Sequence, residues 1–265
     1  MRCYIVDTFT DTVFRGNPAA VCIPENWLPV FLMRKIAMEH NLSETAFAVK
    51  KQNGVYELRW FTPGGEIELC GHATLATAYV ITHFVEPERL KISFLTKSGC
   101  LQVERKDSLY EMDFPAYPMK RIPVTPAMEQ AIGCEIREAW LGRDLVCVLK
   151  DVDSVCRALP DQQKVKPLDG LLLHLTASGN EYDCVTRTFA PKLGIVEDPV
   201  CGSGHCHVIP LWADKLKKRE LRAFQASSRG GILLCRISAG RVSLAGNAVL
   251  YSVSELFLPQ RMPDE

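Results

Sequence analysis

The chain's 265 residues are 47% hydrophobic, enough for a substantial core in one large or two ordinary domains, which excludes disorder as the default state. Lys plus Arg and Asp plus Glu number 31 each, so no net field draws the protein to nucleic acid or an anionic membrane, and a small molecule or another protein is the expected partner. The 11 cysteines, odd in number and without paired spacing, read as free thiols of a reducing compartment rather than as a disulfide framework.

Residues 1–7 enter an alternating apolar stretch without the basic segment and long apolar run of a secretory signal, and the best apolar span, 75–85, is short and holds His83. A cytoplasmic protein without membrane contact is expected. Short runs rich in branched and aromatic residues predict strands over 3–9, 19–23, 45–50, 55–61, 90–94, 101–104 and 109–114. Asn53-Gly54 predicts a hairpin turn within this set. Helical apolar spacing predicts helices over 28–40 and 71–84. Prolines 115, 118, 123 and 126 interrupt regular pairing, and the boundary between two halves is placed there. Strands follow over 138–141, 146–149, 171–176 and 182–189, then a long helix over 202–219.

The two halves repeat an ordered set of features. Arg59-Trp60-Phe61-Thr62-Pro63 precedes Cys70-Gly71, and Arg187-Thr188-Phe189-Ala190-Pro191 precedes Cys201-Gly202. A helix and then a glycine turn into a strand follow each, at Ser98-Gly99-Cys100-Leu101 and Arg229-Gly230-Gly231-Ile232. This order argues for an internal duplication, with a ligand in the crevice between alike domains. Each Cys-Gly opens a helix, where unpaired N–H groups and the dipole favour an anion; Gly71, His72, Gly202 and Ser203 would supply the main-chain donors for a carboxylate. The same field would lower the pKa of Cys70 and Cys201. Two facing acid/base groups suffice to move a proton between faces of a carbon. Glu44, between a helix end and an apolar strand, is a partly buried carboxylate suited to the same work.

Gly16-Asn17-Pro18, Leu42-Ser43-Glu44-Thr45-Ala46-Phe47, Phe61-Thr62-Pro63, Glu68-Leu69-Cys70-Gly71-His72-Ala73-Thr74-Leu75 and Glu197-Asp198-Pro199-Val200-Cys201-Gly202-Ser203-Gly204 resemble, in that order, the phenazine biosynthesis PhzF-like family. The resemblance implies a diaminopimelate-epimerase-like α+β fold of two similar domains, each a curved, mostly antiparallel sheet around a central helix. On that pattern the N-terminal half-barrel spans 1–115, joined by the C-terminal tail 254–265, and the second spans 116–253. It also implies a cofactor-independent isomerase, a homodimer, acting on a small carboxylate. Carried over by position, Glu44 becomes the general acid/base, His72 and Asp198 further acid/base or orienting groups, and Asn17, Gly71, Gly202 and Ser203 the pocket lining. Cys201 departs from the alanine or threonine usual there and, with Cys70, resembles the paired thiols of diaminopimelate epimerase and proline racemase. His72 and Ala73 in turn replace the Asn-Gly that follows the first Cys-Gly in diaminopimelate epimerase.

Glu44-centred isomerisation and two-cysteine racemisation or epimerisation therefore compete, and a non-catalytic binding role is the alternative from another class. No metal is expected, because of Cys201, His205, Cys206 and His207 only Cys201 and His205 share a helical face and no second ligand pair stands at structural-zinc spacing. Basic residues 215–219 complement the end of the second long helix rather than form a nucleic-acid patch. Cys201-Gly202-Ser203-Gly204 lacks the third glycine of a dinucleotide fingerprint, so no nucleotide cofactor is expected.

Overall fold

The computed structural model describes residues 1–258, so the expected return of the tail over 259–265 lies outside the described residues. Strand β1 (Arg2–Thr8) pairs antiparallel with β2 (Asn17–Cys22). Gly16 makes the entry to β2 at φ +64°, where a Cβ would stand 2.0 Å from the Thr8 carbonyl oxygen. Helix α1 (Val30–His40) leads to β3 (Glu44–Gln52), parallel to β2, and the Asn53-Gly54 turn leads into β4 (Val55–Thr62) as the sequence predicts. A short β5 (Gly65–Ile67) precedes α2 (Gly71–Val80), and β6 (Lys91–Thr96), β7 (Gly99–Lys106) and β8 (Leu109–Pro115) complete the first half.

The second half opens with β9 (Lys120–Ile122), set between Pro118 and Pro123, and α3 (Pro126–Ile132). Then come β10 (Glu138–Leu141), β11 (Leu145–Val148), α4 (Val152–Arg157), α5 (Gln162–Val165), β12 (Leu173–Ser178) and β13 (Cys184–Ala190). The chain ends through β14 (Ile195–Asp198), α6 (Gly202–Leu216), β15 (Glu220–Gln225), β16 (Gly231–Ser238) and the long β17 (Arg241–Glu255).

The topology repeats with the sequence. The parallel pairs β2–β3 and β4–β6 recur as β11–β12 and β13–β15, while the remaining neighbours are antiparallel. The halves exchange their last strands. After β8, β9 crosses to pair with β10; β17 pairs with β16 and β8 up to Asn247 and runs along β1 from Ala248. The two-domain α+β fold is thus an exchange of strands around a shared pair, β8 and β17, in register from Arg241↔Pro115 to Asn247↔Leu109.

Each half wraps its sheet around one helix. The composition explains why: eight of the ten residues of α2 are buried, nearly all small or apolar, as expected for a helix enclosed on all sides. Its buried hydroxyls are satisfied locally, Thr74 Oγ1 donating to the Cys70 carbonyl at 2.6 Å and Thr77 Oγ1 to that of Ala73 at 2.7 Å. In α6, buried Trp212 donates Nε1–H to Thr176 Oγ1 at 2.9 Å. Among the described residues no helix is long and apolar enough to cross a membrane.

The repeated arginine has a structural purpose in both halves. Arg59 grips Glu66 through Nε and Nη2, each at 2.8 Å, and Arg187 grips Glu197 at 2.7 and 2.9 Å. Each pair ties the β4 or β13 strand to the segment before the Cys-Gly. Arg187 is the more buried and also donates Nη1–H to the carbonyls of Val155, Cys156 and Ala158, fixing the end of α4. Arg187→Met, which strands a half-buried carboxylate and three carbonyls, is expected to cost about 3 kcal/mol in urea denaturation. Its twin Arg59→Met, at a wetter site, should cost about 1 kcal/mol. Hydrogen bonding to Arg59 holds Glu66 down at about 2, below its ordinary 4.5. That pair supports the fold above the ordinary carboxylate range and is lost as pH falls from 4.5 toward about 2, so Glu66→Gln should flatten the acid limb of the stability curve.

Candidate active site

The starts of α2 and α6 meet. A Cβ on Gly202 would stand 4.0 Å from Gly71 Cα, so main chain approaches main chain across the boundary. Beneath them lie Phe114 of β8, 3.7 Å from a Cβ on Gly71, and Leu244 of β17, 3.8 Å from a Cβ on Gly202. The first main-chain bonds of the two helices, Thr74 N to Cys70 O and His205 N to Cys201 O, leave the N–H groups of Gly71, His72, Gly202 and Ser203 ahead of them. Beside this junction is a cavity of about 160 Å³, bounded by Glu44, Cys70, His72, Asp198, Cys201 and Ser203 together with apolar Ile67, Leu69 and Leu172. Eight of the nine sequence-predicted site residues line it; Asn17 stands behind, bonded to two of them.

Glu44 begins β3 and His72 is the second residue of α2, which brings Glu44 Oε2 to 3.0 Å from His72 Nε2. The contact is an ion pair without hydrogen-bond alignment: both atoms are buried and neither has another partner among the described residues. His72 Nδ1 faces Asn17 Nδ2 at 3.3 Å and Cys70 Sγ at 3.5 Å. Asn17 donates its two amide hydrogens to Asp198 Oδ1 at 2.8 Å and to the Val200 carbonyl at 3.0 Å, so a first-half side chain is anchored in the second half beside His72. Gln225 fixes the other side, donating to the Asp198 carbonyl at 2.7 Å and accepting from Cys201 N at 2.8 Å.

Burial works against charge on His72, but the Cys70 sulfur facing Nδ1 and the Glu44 carboxylate facing Nε2 both favour the protonated ring, which is held above the usual histidine range. Burial raises Asp198, with His72 opposing and Glu44 adding to the shift. The expectation of activated thiols is corrected. Burial, followed by the Glu44 charge, pushes Cys70 up to about 11, and burial, followed by Asp198, pushes Cys201 well above its ordinary value. Desolvation of a thiolate in this enclosure exceeds what a helix terminus returns, although Cys201 Sγ does accept the Gly204 N–H at 3.4 Å.

Strand register shows which positions of the halves correspond. Arg59 faces Phe47 and Arg187 faces Leu175, which aligns Ala46 with His174 and, two residues earlier, Glu44 with Leu172. Counting from the Cys-Gly pairs aligns His72 with Ser203, and the Trp60↔Ile67 and Thr188↔Asp198 pairings align Ile67 with Asp198. The halves share a frame and differ in the groups they aim into the cavity. Sequence reading missed Arg143 and Tyr117, which also line it. The only signal was the repeat itself, since Gly142-Arg143-Asp144 falls where the first half has Asn17-Pro18-Ala19.

Two sets of ligand-type atoms lie within 4.8 Å of one another: Glu44 with Cys70 and His72, and Asp144 with His174 and His207. Either could be asked to hold a cation. In the second set Asp144 is already held by Arg143 through both oxygens, and His207 Nδ1 is turned to the Ser203 carbonyl at 3.1 Å. His205 Nδ1 lies 2.7 Å from the Cys201 carbonyl, apart from either set.

A family model described as phenazine biosynthesis-like protein matches residues 6–253. A relative from Pseudomonas aeruginosa, named as an uncharacterized isomerase, is 42% identical over 96% of this chain and 97% of its own. A crystal structure of a phenazine biosynthesis protein, PhzF family, from Enterococcus faecalis superposes with a TM-score of 0.94 at 49% identity, covering 97% of this chain and 99% of that one. A hydroxyproline epimerase from Agrobacterium vitis shares the fold, with a TM-score of 0.64 at 10% identity over 97% of this chain and 90% of that one.

Thiol reagents test the corrected cysteine chemistry. At about pH 7.5, where thiolate fraction and access set the rate, brief iodoacetamide treatment should label exposed Cys100 and Cys156 and leave Cys70 and Cys201 unmodified until urea is added. Peptide mass spectrometry reads the outcome, and rapid labelling of Cys201 in the folded protein would show the burial argument to be wrong.

Proposed function

Because the chain belongs to the phenazine biosynthesis-like protein family, several of whose relatives bear the name isomerase, we propose that it is an isomerase that moves a proton within a small carboxylate without a cofactor. The observation that carries this reading is the buried Glu44–His72 pair at 3.0 Å, whose facing atoms are left without aligned partners on a cavity between two helix starts. Native proteins seldom leave buried polar atoms without an aligned hydrogen bond, and a ligand entering the cavity can complete the set.

With His72 holding its proton, Glu44 is the carboxylate positioned to accept one from carbon. Asp198, raised by burial, is the group suited to return one, and Asn17, which donates to Asp198 Oδ1 at 2.8 Å, lies 3.3 Å from His72 Nδ1 between the two halves. The N–H groups of Gly71, His72, Gly202 and Ser203 offer positive ends to a carboxylate on the substrate. Apolar Ile67, Leu69 and Leu172 exclude water from the reacting carbon.

A second reading, racemisation by two thiols, rests on Cys70 and Cys201 lining the same cavity from corresponding positions. Their raised pKa values favour the first. Hydrogen–deuterium exchange in heavy water, followed by NMR over a panel of unsaturated ring carboxylates and α-amino acids, separates the two. Glu44→Gln should slow exchange by about a hundredfold or more, the ordinary contribution of a general base, and Cys201→Ser should leave it within about tenfold. Exchange at amino-acid α-carbons that survives Glu44→Gln and disappears in Cys201→Ser would install the thiol mechanism instead.

A further inference from the structure

Arg143 is, with His72, one of two cationic side chains among the described residues bounding the cavity, and its setting is too elaborate for a surface arginine. Nε donates to Asp144 Oδ1 at 3.0 Å and Nη2 to Oδ2 at 2.6 Å. Asp144 is fully buried, and its Oδ2 also meets His174 Nε2 at 3.0 Å, while His174 Nδ1 reaches Thr188 Oγ1 at 2.9 Å. This network engages one edge of the guanidinium. The other edge, carrying the outer N–H groups of Nη1 and Nη2, lies between Tyr117 Oη at 3.3 Å and Ser203 Oγ at 3.1 Å, both on residues that line the cavity.

Tyr117 is held there by a helix defect. Pro210 has no N–H to give the Cys206 carbonyl four residues back, and that carbonyl instead accepts the Tyr117 N–H at 3.0 Å. The Tyr117 ring then stacks on His207 at 4.6 Å and underlies Arg143, whose guanidinium carbon is 4.6 Å from the ring centre. Arg143 is thus clamped by a buried carboxylate on one side and an aromatic face on another, with its outer edge donating to two hydroxyls that line the cavity.

We propose that Arg143, with the Ser203 hydroxyl, binds the carboxylate of the substrate, so that the second half supplies the charged anchor of the anion and Glu44 of the first half is turned to carbon. The assignment rests on the isomerase reading for the identity of the site and deepens it by fixing which way the substrate lies. The outer guanidinium edge matches a carboxylate in two-point geometry, which lysine cannot reproduce. Ser203 and Tyr117 hydroxyls, now turned to the arginine, can each rotate to donate to the same oxygens. The division of labour also explains why Ser203 stands where the first half has His72.

Titration of the purified protein with benzoate and with benzamide, which are nearly isosteric and differ in charge, tests this by protein-observed NMR. The wild type should prefer benzoate by about tenfold to a hundredfold, the ordinary worth of a charge-assisted hydrogen bond. Arg143→Met should bring the two affinities to within about threefold of each other and Arg143→Lys should recover part of the preference, since it restores charge without the fork. Ser203→Ala, a small change that keeps the helix start, should weaken benzoate alone and covers the case in which Arg143→Met does not fold. Unchanged preference in Arg143→Met, unchanged benzoate affinity in Ser203→Ala, or no preference in the wild type overturns the assignment. Binding needs no turnover, so a preserved preference with no proton exchange in any substrate counts against the isomerase reading and leaves Arg143 in place.

Discussion

The antiparallel main-chain pairing of β8 with β17 is the constraint on which the site depends. Each strand lies at the end of its own half; after β8 the chain crosses as β9 to β10, and β17 itself runs on along β1, so neither half closes its sheet alone. The same two strands supply Phe114 and Leu244, which lie beneath Gly71 and Gly202. The pairing therefore fixes the separation of the two helix starts, and the glycines let them come as close as backbone allows. Anything that shifted this register by one residue would turn Phe114 and Leu244 to the opposite face and take the floor from under both termini.

Around that axis the duplicated frame carries unlike chemistry. Paired ion pairs, Arg59–Glu66 and Arg187–Glu197, hold the two Cys-Gly segments in equivalent places. The positions that face the cavity have diverged, with Glu44 against Leu172, His72 against Ser203 and Ile67 against Asp198. A perfectly symmetric site would treat both faces of a substrate alike. This one has a carboxylate–imidazole pair on one side and hydroxyl, guanidinium and a carboxyl raised by burial on the other, an asymmetry in keeping with the proposed isomerase reading.

Much of the frame was legible because it is written in local patterns. Arg-x-Phe-x-Pro followed by Cys-Gly marks the same strand and helix in each half, and Asn53-Gly54 marks its hairpin. The prolines near residue 118 mark the crossing between halves. What escaped is decided by contacts distant in sequence. The dual role of β17 cannot be read from its alternation, since β1, β8 and β16 all demand a similar pattern. Helices α3, α4 and α5 are too short for periodicity to reveal. Arg143-Asp144 reads as a charged turn, and only the fold puts His174 and Tyr117 around it. The sign of the thiol shifts escaped for the same reason, because a sequence shows a helix terminus and not how completely it is enclosed.

The distribution of unsatisfied polar atoms finally separates machinery from scaffold. Among the described residues six buried side-chain atoms lack an aligned partner, and three of them, Asn17 Oδ1, Glu44 Oε2 and His72 Nε2, sit in one connected group at the cavity. A fourth, His207 Nε2, belongs to the ring stacked against Tyr117 beside Arg143. A buried polar atom with no partner at all costs about 1–3 kcal/mol, and even the ion-paired Glu44 and His72 atoms lack the aligned hydrogen bonds a folding core would give them. The hydroxyls of α2 show that this chain does satisfy buried polar atoms where packing is the sole concern. The exceptions therefore identify the wall of the site that a substrate, arriving with its own donors and acceptors, is shaped to complete.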